Sequence, residues 1–408
     1  MVTGNFKIAF DSIKAYKWRS FLTMLGIIIG VVSVVTIVSI GEGVKKQISN
    51  QIGHMGPDLI TVRPGKPVTR NNSGHIDAVN FMSGFVGNSL TENDVQAIKK
   101  TPNIAKTVPM SFVSGTPRAD GRTFERNVIF GTTEDLPAML NQDVEYGEFF
   151  QAHDADKNVV VIGKSVAEEL FQETVPVGRS MQIRGENFVV RGVFEEFATA
   201  KLTPNADYNA AVFMPINVSK KLSNNQTNIQ QILAKPTDPT KTNEAVKSMQ
   251  KQLLNTHAGQ DDFTILKQED NLAIANTILN LLTGLITGVA AISLLVGGIG
   301  IMNIMLVAVT ERTQEIGIRK AVGATNSQIM SQFVIEAAVI SLTGGVVGIF
   351  GSLLANFFIR VTTDLEPVIT LPIMGLALAV SLIVGIFFGS APALQAARKD
   401  PIEALRKI

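Results

Sequence analysis

Along the chain, apolar residues collect into four blocks separated by charged, mixed sequence. Four stretches contain no Asp, Glu, Lys or Arg: Ser20–Gly41 (22 residues), Asn271–Thr310 (40), Ala337–Ile359 (23) and Pro367–Ala397 (31). About 20 apolar residues suffice for a helix to cross a bilayer, so each stretch predicts a membrane-spanning helix. The first is not a cleaved leader. About 20 mixed residues precede it, the apolar run is longer than the 7–15 residues of a signal core, and no Ala-x-Ala-like site follows Ile40-Gly41-Glu42-Gly43. Forty uncharged residues as helix would measure roughly 60 Å, twice the hydrocarbon thickness. The second span is therefore expected to begin above the membrane as a stalk, Asn271–Asn280 being its amphipathic start. Val44, Ile48 and Ile52, spaced by four, predict the same continuation after the first span.

Flanking charge gives the orientation. Lys7, Lys14, Lys17 and Arg19 precede span one; Arg312, Arg319 and Lys320 lie between spans two and three; Arg398, Lys399, Arg406 and Lys407 follow span four. The short loop between spans three and four carries only Arg360. The excess of Lys and Arg on one side places both termini and residues 311–328 in the cytoplasm of a cell (plasma or inner) membrane, with about 45–270 outside. The fold class expected is an α-helical membrane protein with four transmembrane helices plus a large α+β extracytoplasmic domain inserted between helices 1 and 2. The expected segments are an amphipathic N-terminal helix (1–19), helix 1 and stalk (20–53), the outer domain (54–268), stalk and helix 2 (269–310), a cytoplasmic link (311–328), helix 3 (329–359), a short outer loop (360–371), helix 4 (372–397) and a cytoplasmic tail (398–408).

In the outer segment, short runs alternate in type. Thr91-Glu92-Asn93-Asp94 opens a helix to about Lys100. Asn127–Gly131 and Val159–Ile162 read as buried strands, and Met181–Phe194 as a hairpin turning at Arg184-Gly185. Gln230–Ala234 and Phe263–Leu266 flank a helix over about 240–255. Two lobes are expected, about 101–229 and 54–100 plus 230–268. The Gly-, Pro-, Asn- and Ser-rich Arg63–Gly87 reads as a long loop.

The net charge of +1 offers no general attraction to nucleic acid, and zero Cys excludes disulfides, zinc-thiolate sites and a Cys nucleophile. Val159–Ser165 reads VVVIGKS, but a phosphate loop needs Gly where Asn158 stands. The run is better read as a strand followed by a helix that Ser165 and Glu168 cap and that ends near Phe171. His54, His75, His153 and His257 are scattered, and paired acids such as Glu195/Glu196 read as surface. No catalytic or metal constellation emerges, and no cofactor is expected on this chain.

Small residues at four-residue spacing, Gly26/Gly30, Gly284/Gly288 and Gly344/Gly348, let helices approach in lipid, either within the chain or between two copies. Gly26, Gly30, Gly284 and Gly288 are the candidates for a dimer seam along spans one and two. Gln328, Gln332 and Glu336 form a polar stripe entering span three, with Glu336 either snorkelling or bonded to a neighbouring helix. Four spans without midplane charge make a poor ion pathway. The link Thr310–Thr325 leaves span two as a charged helix with Ile316, Ile318 and Val322 among Glu311, Glu315, Arg319 and Lys320, and breaks at Gly323. Mixed charge and exposed aliphatics beside the membrane suit either a docking surface or a solvated connector.

These residues, read together, resemble a family. ERTQEIGIRKAVGAT, WRSFLTMLGIIIG and the ending APA, then AARKDPIEALR, sit in order over the whole chain. They are similar to the FtsX-like permease domain of MacB-type ABC transporters (type VII), and the segment with VVVIGKSVAEELF resembles the MacB-type extracytoplasmic core domain. The resemblance implies a homodimeric permease subunit of an efflux transporter. It would work by mechanotransmission: ATP hydrolysis on a partner ATPase (nucleotide-binding) subunit moves the stalks and outer domain. The resemblance implies that Glu311, Arg312, Glu315, Ile316, Gly317, Ile318, Arg319, Lys320, Ala321, Gly323 and Ala324 form the coupling interface to that ATPase, and that Arg398, Asp400, Pro401, Glu403 and Leu405 form a cytoplasmic tail motif. ATP and Mg would belong to the partner, and a membrane-fusion (adaptor) protein is expected outside. The sequence departs from the fused pattern in starting at the permease, so the ATPase is expected on a separate chain and no ATPase activity on this one. The competing readings are a regulator of a cell-wall hydrolase of the FtsX sort and a lipoprotein-extracting permease. A hydrolase encoded nearby would favour the first and a hydrophobic outer cleft the second.

Overall fold

The computed structural model describes residues 17–406 apart from 57, 67, 71–75, 80–88, 198–206, 225–227 and 364; side chains are described from residue 24 onward, except those of 51–55, 77–78, 405 and 406. Most of the expected N-terminal helix over 1–19 lies outside the described residues. The chain divides into two compact units, one of residues 1–44 and 279–408 and one of residues 45–278.

Four helices are long and apolar enough to cross a membrane. The first is α1 (Lys17–Met55). The inserted unit then contributes β1 (Ile60–Pro64), β2 (Val68–Arg70), β3 (Ile76–Val79), α2 (Glu92–Lys99), β4 (Ile104–Val113), β5 (Arg118–Ala119), β6 (Arg122–Thr123), β7 (Val128–Thr132), α3 (Leu136–Leu140), β8 (Val144–Gly147) and β9 (Val159–Ile162). Next come α4 (Lys164–Val166, continued by a π turn over Ala167–Phe171), β10 (Ser180–Ile183), β11 (Glu186–Phe194), β12 (Ala211–Pro215), α5 (Ile216–Leu222), β13 (Ile229–Pro236), α6 (Thr242–Thr256) and β14 (Phe263–Lys267). The chain continues through α7 (Gln268–Glu311), α8 (Thr313–Ala321), α9 (Asn326–Thr362), α10 (Leu371–Ala397) and α11 (Pro401–Arg406). Helices α1 and α7 each run without a break past their apolar stretch into residues of the inserted unit.

The inserted unit is built on one mixed sheet, ordered β14-β1-β13-β4-β7-β12-β9-β11-β10-β5-β6, with β8 on β11. The short apolar runs at its centre become strands covered on both faces. Ile129, Val160, Ile162, Val212 and Met214 enter one apolar cluster; Val128, Phe130, Val161, Ala211 and Phe213 enter the other. Successive side chains point to opposite faces, so a strand buried on both sides needs an unbroken apolar run. A third cluster gathers Ile60, Val62, Ile232 and Ile265 of the strands with Ile98 of α2 and Ala245, Met249 and Leu253 of α6. The single sheet path runs through residues of both expected lobes.

Two local readings change. Part of Arg63–Gly87 is an antiparallel hairpin of β2 and β3, with Val68 opposite Val79. The helix after VVVI starts two residues earlier than a Ser165 cap would place it, with Gly163 at its N-cap. Gly163 N–H donates to Ala211 O at 2.9 Å, and a Cβ there would lie 2.3 Å from the carbonyl oxygens of both Tyr208 and Asn209. The glycine of VVVIGKS thus serves chain packing, and Lys164 pairs with Glu196 at 2.8 Å.

In the membrane unit, glycines set the helix approaches. A Cβ on Gly26 would lie 2.6 Å from Gly297 Cα, one on Gly348 2.8 Å from Val31, and one on Gly385 2.1 Å from Ser341 Oγ. Thr325 opens α9 with a capping box: Gln328 N–H donates to Thr325 Oγ1 at 3.3 Å and Thr325 N–H to Gln328 Oε1 at 2.9 Å.

Candidate functional site

The link between α7 and α9 folds as α8, entered through Arg312 and left through Gly323, whose φ of +104° suits glycine because it carries no Cβ. Residues four apart share a helix face. Arg312, Ile316 and Lys320 make the inward stripe. Ile316 is 1% exposed and packs among Ile329, Phe333, Ala393 and Ala396. Gln314, Ile318 and Val322 make the outward stripe, with Ile318 49% and Val322 85% exposed. The spacing alone left docking surface and connector open. The structure shows a helix with one seated and one bare face.

Three side chains seat it. Arg312 Nη1 donates to both carboxylate oxygens of Glu336, each at 3.2 Å. Arg319 Nη1 donates to Gln332 Oε1 at 2.7 Å. Lys320 Nζ donates to the carbonyl oxygens of Ala397 at 2.6 Å and Lys399 at 2.9 Å, at the C-terminal end of α10. Glu336 is buried, and of the two alternatives open for it the structure takes the bond. The polar stripe entering span three is therefore a rack: Gln328 caps its own helix, and Gln332 and Glu336 each receive an arginine of the link.

The remaining predicted residues are distributed around this core. Gly317 is buried beside Ile316, Ala324 is half-buried, and Glu311, Glu315, Ala321 and Gly323 are exposed. Glu315 faces Arg319 one turn on, at 3.9 Å. The tail motif comes to the same place, since α11 packs against α8. Asp400 caps α11 by accepting from Ile402 N–H at 2.8 Å, Pro401 starts the helix, and Arg398 and Glu403 are exposed. The side chain of Leu405 lies outside the described ones. What the sequence did not reveal is that Lys320 turns away from the bare face and toward the tail.

The four glycines proposed for a dimer seam part company. Gly26 and Gly30 are taken up inside the chain: Cβ atoms there would meet Gly297 at 2.6 Å and Leu294 at 2.8 Å. Among the described residues, nothing comes within 4 Å of a Cβ placed on Gly284 or Gly288. They lie on an α7 face that exposes Leu281, Leu285, Val289 and Ile292. Among the described residues no group of three or more His, Cys, Asp or Glu side chains could hold a metal ion.

Comparison with known proteins gives two family matches: a MacB-like periplasmic core domain over residues 20–252 and an FtsX-like permease C-terminal domain over 287–401. The chain is similar to the macrolide export ATP-binding/permease proteins MacB of Hyphomonas neptunium (36% identical, over 99% of this chain and 61% of that protein), Azoarcus sp. (36%, 98% and 58%) and Neisseria gonorrhoeae (34%, 98% and 60%). It spans about three fifths of the length of these relatives. Among solved structures, the periplasmic region of MacB from Actinobacillus actinomycetemcomitans superposes with a TM-score of 0.44 at 22% identity, covering 57% of this chain and 98% of that one. The extracellular domain of the noncanonic ABC-type transporter YknZ from Gram-positive bacteria gives 0.39 at 18% identity, covering 51% and 100%. The core-domain match takes in more than half of the chain, and the chain belongs to the family of membrane proteins that carry this MacB-like core domain.

Proposed function

We propose that this chain is the permease subunit of an ABC-type exporter that works by mechanotransmission. A partner ATPase binds ATP and Mg, docks on α8, and moves the helices on which α8 is seated. The observation that carries this reading is the division of α8 into a seated face, tied to α9 and α10, and a bare face with Ile318 and Val322 exposed. A connector has no reason to keep two aliphatics in water, whereas a docking helix buries them in its partner. The link then lies in the cytoplasm, as its lysines and arginines favour. The inserted domain lies outside, where an adaptor would meet it. Two copies pair through the α7 face bearing Gly284 and Gly288, the pair that no described residue covers. Since the relatives are named for macrolide export, macrolides are the first substrates to assay.

The test is reconstitution of the full chain with its ABC ATPase in proteoliposomes. Ile318→Asp with Val322→Asp should leave the chain folded and reduce ATPase binding and export by tenfold or more, the scale of about 2 kcal/mol for central apolar contacts. Glu315→Lys should reduce both less. Full export by the double variant would show that the ATPase does not dock here.

A further inference from the structure

Among the residues expected to face the ATPase, Lys320 stands apart. Its stem lies on the inward stripe of α8 with Ile316, and its ammonium is spent on the chain itself. Nζ donates to Ala397 O at 2.6 Å and to Lys399 O at 2.9 Å. Ala397 is the last residue of α10 and Lys399 lies two residues beyond, just before α11 begins at Pro401. The last carbonyls of a helix have no partner within it, and the negative end of the helix dipole gathers there. A lysine reaching in from another element satisfies one of these groups, Ala397 O, and the carbonyl of Lys399 just beyond the helix, with a full positive charge. The surroundings fix its position: Ile316 belongs to the same buried apolar cluster as Ala393 and Ala396 near this end, Ala397 is buried, and α11 lies against α8.

We propose that Lys320 is a positioning residue, a strut that makes the end of α10 follow α8. This rests on the reading of α8 as the coupling helix and deepens it. The arginines of the link hold α9 through side chains, and Lys320 holds α10 through its backbone. A displacement of α8 therefore reaches α9 and α10 together, and α10 cannot lag without breaking two charged hydrogen bonds. The role needs a long cationic side chain and no contact with the partner.

The test uses Lys320→Met, which keeps the length and apolar stem, and Lys320→Arg, which keeps charge and donors. Amide hydrogen exchange of the full chain in lipid nanodiscs reads the strut without any partner. In Lys320→Met the amides of residues 397–404 should exchange about tenfold faster, the scale of a lost hydrogen bond to a charged group, with the arginine variant near wild type. With the ATPase added, Lys320→Met should bind it and hydrolyse ATP as the wild type does, while substrate exported per ATP falls about tenfold. Arginine should restore most of that ratio. Unchanged exchange in Lys320→Met overturns the strut. Faster exchange with an unchanged export ratio overturns its positioning role. If wild type itself exports nothing with an active ATPase bound, the exporter reading fails instead, and the exchange arm still decides the strut.

Discussion

Helix α7 has an arginine–carboxylate pair at each end, and the two are built differently. At its start Asp270 is buried and faces Arg70 of β2. Arg70 Nη1 donates to Oδ1 at 3.0 Å and Nη2 to Oδ2 at 2.9 Å, two parallel bonds, while Nη2 also reaches Ile265 O of β14 at 3.2 Å. Asp270 Oδ2 takes Lys267 N–H at 2.8 Å as well. One carboxylate thus ties hairpin, edge strand and first helical turn, and its charge raises the Arg70 guanidinium above its ordinary value through the hydrogen bond first. At the other end Glu336 is equally buried, but its two bonds come from the single Nη1 of Arg312 at 3.2 Å each. A fork-to-fork pair fixes distance and angle, whereas one nitrogen between two oxygens fixes distance and leaves the angle loose. Under the proposed function the two ends would differ in duty: a clamp inside the inserted domain, and a joint at the link that would carry load from α8.

The largest effect is expected from opening the clamp. Arg70→Met leaves Asp270 buried without its counter-charge, which should cost about 3 kcal/mol, the lower end of the range for broken buried pairs because Arg70 is partly exposed. Adding Asp270→Asn should recover part of it. The measurement is hydrogen exchange of the β14 amides in the full chain. Protection within about threefold of wild type, well under 1 kcal/mol, would mean that the fork contributes nothing. Opening the joint should disturb stability less and function more. Arg312→Met should cost about 2 kcal/mol by the same exchange measured over α9, less than the clamp because both bonds are long, 3.2 Å, and come from one nitrogen, yet lower substrate exported per ATP at least as much as Lys320→Met does. Glu336→Gln, which can still accept from Arg312, should lie between. If Arg312→Met destabilised as much as Arg70→Met and left export coupling intact, the distinction between clamp and joint would be wrong.

How much of this could be read in advance depends on the range of each contact. The four spans were legible because absence of charge over 22 to 40 residues is a signal each stretch carries by itself. So was the break at Gly323, and so were the strands of the inserted domain, whose apolar runs report burial on both faces. The clamp was not: Arg70 and Asp270 are 200 residues apart, and β2 lies in a Gly- and Asn-rich stretch whose composition reads as loop. Local motifs also misled. Ser165 and Glu168 have capping-box spacing, but the helix start is fixed by Gly163, which the backbone at Tyr208–Ala211 requires to have no side chain. Equal glycine spacing in α1 and α7 concealed opposite situations, one pair pressed against a neighbouring helix and the other bare. In the link, the residue types implied a helix with an exposed face, but the inward turn of Lys320 depends on where α10 ends, which no spacing encodes.

A third buried carboxylate sharpens the comparison with the smallest effect. Asp154, fully buried, is held from several sides: Lys157 Nζ donates to Oδ1 at 2.8 Å, Arg191 Nη1 stands 3.1 Å from Oδ2, and Gln151 N–H donates at 3.1 Å. The Lys157 hydrogen bond is the largest influence; burial opposes it, and the Gln151 N–H and Arg191 assist, leaving the carboxyl below its ordinary value of 3.8. A group depressed in the folded state contributes stability that is complete above its unfolded value and disappears as pH falls through the folded one. Asp154→Asn should therefore lower stability by a constant amount above about pH 5, and the two curves should converge below about pH 4. Exchange of the β8 and β11 amides between pH 7 and pH 3, each rate corrected for its intrinsic pH dependence, would read this. Because Gln151 N–H and the Arg191 charge also hold Asp154, removing Lys157 alone should leave part of the pH dependence in place, unlike the clamp, where a single arginine carries the pair. A gap between wild type and Asp154→Asn that stayed constant down to pH 3 would show that the charge of Asp154 contributes nothing, and that its donors act only as neutral hydrogen bonds.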